Sequence, residues 1–279
     1  MINLTPLRSV LYLPANRASA IAKARTLPAD AVILDLEDAV QPDAKAEARA
    51  AAVAAALHGG WEGKLLFLRV NGIGTPWHAD DMAAAQIDGF AGIVVPKVDS
   101  AAQAASLVAH GGGRPVLAMI ETPAAVLNAA AIAAVPGVAA LVAGMADLAK
   151  ALGCGDDAER RPLLYSLSAI VLAARAAGIA CFDGVCTEYR NETAFRAEAA
   201  QGKLLGFDGK TLIHPSQVDP CNQLFSPSAQ AVAHAHAMIA AYEAALAAGR
   251  GVATLDGQMV EVLHVEQARR LLARASRQT

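Results

Sequence analysis

The chain has 279 residues and a net charge of −3 at pH 7, with 55% hydrophobic and only 18% charged residues. That length is too great for one small module and comfortable for a single α/β barrel. With no basic stripe and only 4% aromatic residues, nothing in the chain supports nucleic-acid binding.

In chain order, residues 9–14 (SVLYLP) read as a short strand ended by proline, and a helix follows over 16–27 with Asn16 as its cap. Residues 31–40, AVILDLEDAV, are the stretch around which the rest is organised. Four apolar or small residues lead into Asp35, Glu37 and Asp38. Such a β-branched run reads as a strand buried on both faces. The carboxylates at its end repel one another unless a cation, bound water or a substrate offsets them. The plainer alternative is a solvated acidic loop. Pro42-Asp43 opens an alanine-rich helix to about residue 57. Strands follow at 65–70, ending in Arg69 and Asn71, and at 92–96, with Lys97 just beyond; another helix starts at Asp99-Ser100.

The fifth strand, 116–120, has Glu121 at its end, and a helix begins near Pro123. The sixth, 140–143, is followed by Gly144 and Asp147. A helix over 160–177 stops at Gly178. Residues 180–183 form a seventh strand, 188–200 a helix ended by Gly202, and 207–213 contain the eighth strand, before His214-Pro215. Residues 122–146 carry no charge over a length that would suit a membrane span. Asn128 and Pro136-Gly137 interrupt them, so they read as helix, turn and buried strand. Four cysteines, Cys154, Cys181, Cys186 and Cys221, lack C-x-x-C spacing, and residues 1–5 begin no apolar run of signal length. The expectation is a reduced, cytoplasmic protein outside the membrane.

Eight apolar strands alternating with helices predict a parallel (β/α)8 TIM barrel over residues 1–225 rather than an open sheet, which would need two blunted edges. In such a barrel the active site lies at the C-terminal strand ends. Asp35, Glu37, Asp38, Arg69, Asn71, Lys97, Glu121, Asp147 and His214 all fall there. Residues 226–279 form a C-terminal helical extension: a long helix over 227–248, a glycine-containing connector over 249–257 and a last helix over 266–275. It has little core of its own and is expected to pack on its own barrel or a neighbouring one.

Glu121 and Asp147 come from adjacent strands, with no Cys or His ligand near them. The pair suits a hard, oxygen-loving cation, Mg2+ or alternatively Mn2+; each alone serves equally as a helix cap or ion-pair partner. Arg69 carries a planar fork suited to a carboxylate or a developing enolate oxygen, and equally to pairing with Asp35, Glu37 or Asp38. A Schiff-base lysine needs a lowered pKa, but the acidic mouth would raise that of Lys97, so its expected role is electrostatic. Gly111-Gly112-Gly113 precedes the fifth strand, at the bottom of the barrel, and reads as a turn. Arg17 and Lys23, past the first strand, either neutralise phosphates or face solvent.

Together these stretches resemble the citrate lyase β-subunit branch of the HpcH/HpaI aldolase superfamily, which also contains malyl-CoA and citramalyl-CoA lyases. The resemblance rests on RSVLYLPAN, DAVILDLEDAVQPDAKAEAR, LRVNG, GIVVPKV, AMIETP, GFDGKTLIHPSQV and FSPS, in order from Arg8 and reaching nearly the whole chain. LDLEDAV, LRVN and IETP are specific in combination and weak singly. The resemblance implies a Mg2+-dependent carbon–carbon lyase that splits a 3-hydroxyacyl thioester such as citryl-, citramalyl- or malyl-CoA into acetyl-CoA and a 2-oxo acid. It implies Glu121 and Asp147 as metal ligands, Arg69 and Asn71 as substrate contacts, and Glu37 and Asp38 as water-mediated support, with Asp38 close to the reaction. Tyr12 and Lys23 fall where the family contacts CoA, and Ile213 and His214 near that channel.

Two departures stand out. Ala15 replaces a usual glycine after Pro14. In GQMVEVL, residues 257–263, Glu261 stands for the family's aspartate and Leu263 for its proline. Retro-Claisen cleavage needs a Lewis acid, a group to stabilise the enolate and a base to take the hydroxyl proton. Glu261, contributed across a subunit boundary in a homotrimer or hexamer, is the expected base. The competing expectations are a CoA-independent class II aldolase of the HpaI type, and a non-catalytic subunit that docks an acyl-carrier thioester.

Overall fold

The computed structural model describes residues 4–275. Eight parallel strands close into a barrel in sequence order: β1 (Ser9–Pro14), β2 (Ala31–Asp35), β3 (Leu65–Arg69), β4 (Gly92–Val95), β5 (Val116–Ile120), β6 (Val138–Ala143), β7 (Ala180–Asp183) and β8 (Gly209–Leu212). β1 pairs with both β2 and β8, so the sheet has no edge. Around it run α1 (Ala18–Thr26), α2 (Lys45–His58), α3 (His78–Ala84), α4 (Ala101–His110), α5 (Pro123–Leu127), α6 (Ala129–Ala133), α7 (Met145–Leu152), α8 (Leu164–Ala177), α9 (Glu192–Leu205) and α10 (Val218–Phe225).

Side chains alternate across a strand, and that period builds both core and mouth. Val10, Ile33, Phe67, Leu117, Val142 and Phe182 belong to one buried cluster. Two residues further along the same strands stand Tyr12, Asp35, Arg69, Met119, Gly144 and Gly184. Glu121 continues the column of Leu117 and Met119. The apolar column of the core therefore runs into polar side chains at the strand ends.

The opposite face of β7 and β8 holds a second, closed ion cluster. Asp183 and Lys210 are fully buried, with Lys210 Nζ 3.1 Å from Asp183 Oδ2 and 2.7 Å from Glu198 Oε1 of α9. Arg160 Nη1 donates to Asp183 Oδ1 at 2.8 Å and its Nε to Gln201 Oε1 at 2.8 Å. Burial works against the Asp183 charge, but Lys210 and Arg160 outweigh it and hold its pKa below the ordinary value.

Several elements differ from expectation. α1 begins at Ala18 behind Arg17, and Asn16 does not cap it. α9 starts four residues later than expected because Asn191 Oδ1 accepts the Ala194 N–H, and it ends at Gly206, in the left-handed region at φ 105°. Gly202 does not stop that helix; it lies inside it, where any side chain would collide with Asp183. α3 and α7 are additional, so Asp147 sits in the first turn of a helix and not in a loop. The uncharged stretch resolves into α5, α6, a turn at Gly137 (φ 105°) and β6. No helix among the described residues is long and apolar enough to cross a membrane.

The chain divides into two compact units, Met1–Gln223 and Leu224–Thr279. The second contains α11 (Ala229–Ala247), an antiparallel hairpin of β9 (Ala253–Leu255) and β10 (Gln258–Val260), and α12 (Val262–Ala275). The expected connector is thus a hairpin. Asp256 and Gly257 form its two-residue turn with φ of 51° and 78°, the pairing that a mirror-image turn requires. Ala245, Ala253, Val260 and Val265 give this unit a small core, with Met238, Ile239 and Tyr242 packed on it.

Candidate active site

The mouth begins at Asp35. Its buried carboxylate accepts the Glu37 N–H at 2.8 Å and the Ala39 N–H at 3.2 Å, folding the chain after β2 back over the strand end. The same carboxylate takes the fork of Arg69, Nε to Oδ1 at 2.7 Å and Nη2 to Oδ2 at 2.6 Å. The register makes this possible, since Asp35 and Arg69 are paired neighbours on β2 and β3. Arg69 Nη1 reaches Glu37 Oε2 at 2.7 Å and lies 3.6 Å from Asp38 Oδ2. Its guanidinium sits 5.0 Å from the centre of the Tyr12 ring. Arg69 is therefore both an ion-pair partner and a wall of the cavity. Burial opposes its charge, yet Asp35, Tyr12 and Glu37 raise its pKa further above the ordinary value.

Glu121 ends the β5 column with one hydrogen bond, from the Lys97 N–H to Oε1 at 2.8 Å. Burial, then the neighbouring Glu37, push its pKa up to about 7, with Lys97 and Arg69 acting against them. Gly144 makes room for this carboxylate: a side chain there would collide with Cβ and Oε2 of Glu121. Lys97 Nζ lies 3.1 Å from Asp147 Oδ2 and 3.3 Å from Glu37 Oε1. Partial burial works against the ammonium, but hydrogen bonding to Asp147 and the charges of Glu37 and Glu121 raise its pKa, as the acidic mouth predicts. That environment is the opposite of what a Schiff-base lysine needs.

A cavity of about 380 Å3 opens between these groups, lined by Tyr12, Asp38, Arg69, Met119, Glu121, Asp147, Thr211 and Ile213 among others. Asp38 lines both this cavity and a second one of about 540 Å3, which Glu37, Lys97, Asn71, Lys45 and Trp77 also line. No cluster of three or more His, Cys, Asp and Glu side chains placed to hold a metal occurs among the described residues. Two carboxylates on one cavity, one of them buried and short of positive charge, fit an ion such as Mg2+, which binds through one or two carboxylates and keeps several waters.

Not every expected residue converges here. Asn71 is buried and spends its amide on the fold, donating Nδ2 to the Leu36 carbonyl at 3.0 Å and to Asp81 Oδ2 at 2.6 Å. His214 stacks on Tyr189 with ring centres 4.7 Å apart, in a separate groove. Lys23 is exposed on α1 and lines none of the three cavities. Glu261 belongs to the second unit, where it joins β10 to α12 and its backbone N–H donates to His264 Nδ1 at 3.0 Å. Conversely, the reading of the sequence left Gly144 without a role; its place one residue past β6, on the inward face, was the available signal.

The sequence model of the HpcH/HpaI aldolase/citrate lyase family matches residues 8–215, from the start of the barrel to the turn after β8. The chain belongs to this family. A (3S)-malyl-CoA thioesterase of Cereibacter sphaeroides (strain KD131) is 43% identical over 270 residues, covering 97% of this chain and 95% of that protein. The citrate lyase subunit beta of Escherichia coli (strain K12) is 34% identical over 280 residues, covering 96% and 93%. Among solved structures, CitE from Mycobacterium tuberculosis in complex with magnesium, acetoacetate and coenzyme A superposes with a TM-score of 0.81 at 31% identity, over 98% of this chain and 100% of that one. The matched residues span the barrel and stop before the second unit.

Proposed function

We propose that this chain is a Mg2+-dependent enzyme acting on a 3-hydroxyacyl-CoA thioester that carries a second carboxylate, malyl-CoA before citramalyl- or citryl-CoA. The observation that carries this reading is the pairing of buried Glu121 with Asp147 beside Arg69 on one cavity. The magnesium and CoA bound by the Mycobacterium relative, and the malyl-CoA named for the Cereibacter one, support it. Glu121 and Asp147 would hold the ion. When bound, Mg2+ supplies a Lewis acid for oxygens of the substrate.

The chain's own groups do the rest. Arg69, held by Asp35 and lining the cavity, would stabilise the charge that develops on the thioester oxygen as the carbon–carbon bond breaks. Tyr12, Ile213 and Thr211 shape the wall against which the acyl chain lies. Glu37 and Asp38 support the mouth through water. Glu261 is assigned as the base that takes the hydroxyl proton, and a homotrimer or hexamer as the assembly. A reducing compartment such as the cytoplasm fits four cysteines that form no disulfide among the described residues.

A second reading has specific support: the relative with 43% identity is named a thioesterase. Hydrolysis of malyl-CoA would release free CoA thiol and malate, whereas cleavage releases acetyl-CoA and glyoxylate. A panel of hydroxyacyl-CoAs and the matching acyl-carrier thioesters, incubated with Mg2+ and followed for both thiol and 2-oxo acid, separates the two. Release of neither product from any member of the panel would sink both readings, and turnover of the carrier thioester alone would favour the docking subunit. Activity should vanish with EDTA and return with Mg2+ or Mn2+, and Asp147→Asn should lose most metal affinity while keeping the fold. Full turnover after chelation would remove Glu121 and Asp147 as ligands. Equal rates for wild type and Glu261→Ala would remove the base.

A further inference from the structure

Lys97 touches both of the carboxylates assigned to the metal, through two different atoms. Its backbone N–H donates to Glu121 Oε1 at 2.8 Å. Its ammonium lies 3.1 Å from Asp147 Oδ2 and 3.3 Å from Glu37 Oε1. The residue adopts φ 53°, in the left-handed region that side chains other than Gly and Asn rarely occupy. It is one of three non-glycine residues with positive φ among those described, and of these it alone touches Glu121 and Asp147; it lines the neighbouring cavity of about 540 Å3. Strained backbone at such a place is held by the surrounding structure and points to a role.

We infer that the Lys97 ammonium is the resident counter-ion of this mouth and competes with the divalent ion for Asp147. The inference rests on the reading of Glu121 and Asp147 as ligands. Mg2+ binds carboxylate oxygens at about 2.0–2.1 Å and dehydrates reluctantly. An ammonium hydrogen-bonded to the same oxygen occupies the approach to it, and two cations within a few ångström repel. Entry of the ion therefore moves the ammonium off Asp147. Glu37 offers it a place to remain, because that carboxylate is already its second partner.

The side chain has the freedom to make this move, since it is 46% exposed and Asp147 is 37% exposed. The backbone does not: the N–H that steadies Glu121 is set by φ and stays in place when the side chain swings. One residue thus separates two jobs. Its main chain orients one carboxylate, and its ammonium keeps Asp147 and Glu37 from repelling each other until the ion arrives. The consequence is that loss of the ammonium strengthens metal binding, whereas a merely supporting residue would weaken it when lost.

The test is Mg2+ binding by titration calorimetry to the full-length protein, without substrate, for wild type, Lys97→Met, Lys97→Gly and Lys97→Arg. Glycine adopts the left-handed conformation without strain and retains the N–H, so that variant remains informative if the methionine variant folds poorly. Both uncharged variants should bind Mg2+ about fivefold more tightly, the change expected for deleting a half-exposed competing ion pair. Lys97→Arg, which keeps the charge, should remain within about twofold of wild type. The melting temperature without metal should fall in the uncharged variants, and its rise on adding Mg2+ should be larger than in wild type. Equal or weaker Mg2+ binding in both uncharged variants, with wild type binding normally, would overturn the competition. Absence of Mg2+ binding in wild type and all variants would overturn the ligand assignment, and the competition with it.

Discussion

Asp35 and Asp183 each end a strand of the same barrel, each is fully buried, and each meets an arginine, but the clusters they anchor face opposite sides of the sheet. On the outer side, Asp183 and Glu198 face Lys210 and Arg160. Two acids meet two bases, and further donors go to Gln201 and to the Gly184 and Glu198 carbonyls. On the inner side, Asp35, Glu37, Asp38, Glu121 and Asp147 face Arg69, Lys97 and a Lys45 whose ammonium is spent on the Leu36 and Glu37 carbonyls. The mouth is short of positive charge, and it opens on a cavity. Charges that only support the fold are balanced and sealed. Charges that await a ligand are left in excess; at Glu121 burial, and after it the charge of Glu37, push the pKa up to about 7.

The largest effect should come from breaking the sealed cluster. Asp183→Asn leaves Lys210 and Arg160 short of a carboxylate in a buried place, and should cost about 3–5 kcal/mol of stability, read from urea unfolding. A loss under about 1 kcal/mol would mean that water reaches the cluster and that the contrast is overstated.

Next is Gly144→Ala. The added methyl has no room beside Glu121, and overpacking of this kind costs about 1–3 kcal/mol. Because the obstruction presses on a carboxylate at the cavity, part of that cost should appear as weaker Mg2+ binding and not only as a lower melting temperature. Unchanged affinity would show that Glu121 can move without consequence.

Arg69→Lys keeps the charge but loses the fork that serves Asp35 and Glu37 together. Turnover should fall by about tenfold or more, equivalent to about 1.4 kcal/mol. Steady-state kinetics near wild type would reduce Arg69 to a structural partner.

The smallest effect concerns Glu121→Gln, measured in EDTA. A carboxyl whose pKa is higher in the folded state than in the unfolded chain binds more protons when folded. Stability then falls as pH rises from about 4.5, the unfolded value, through about 7. The glutamine variant lacks this slope. Its stability should match wild type near pH 5 and exceed it at pH 8. Parallel curves would place Glu121 in ordinary solvent.

Most of the inner cluster is legible in the sequence, because strand period and strand ends are properties of local sequence. Asp35, Arg69 and Glu121 sit at fixed steps from Ile33, Phe67 and Met119. Pairing was less legible. That Arg69 would take Asp35, Glu37 and Asp38 at once depends on the register of β2 against β3 and on a loop folded by backbone hydrogen bonds to Asp35. Asn71, which the resemblance implies as a substrate contact, donates its amide to Asp81 and the Leu36 carbonyl, and Asp81 comes from a helix that the composition of residues 78–84 does not announce. The outer cluster is not legible in the sequence, since Arg160, Asp183, Glu198 and Lys210 are scattered over fifty residues and come together only through the register of β7 on β8 and the ion pairs that Arg160 and Glu198 make to them. The hairpin after α11 had a readable signal in Asp256-Gly257 between two short β-prone runs.

The pairing of Asp35 with Arg69 also bears on how the barrel is assembled in time. If β3 docked on β2 one residue out of step, every side chain on it would change faces. Arg69 would then point among the helices while Asp35 stayed buried at the mouth without its guanidinium partner, at a cost of several kcal/mol. The two charges thus act as a proofreading step during folding: one alignment of the strands is allowed and its neighbours are penalised. A variant with Asp35→Leu and Arg69→Met should melt lower, since Glu37 loses its guanidinium partner and the Glu37 and Ala39 N–H groups lose their acceptor, and it should also refold with an added slow phase from slipped pairings; single-phase refolding at the wild-type rate would refute that role.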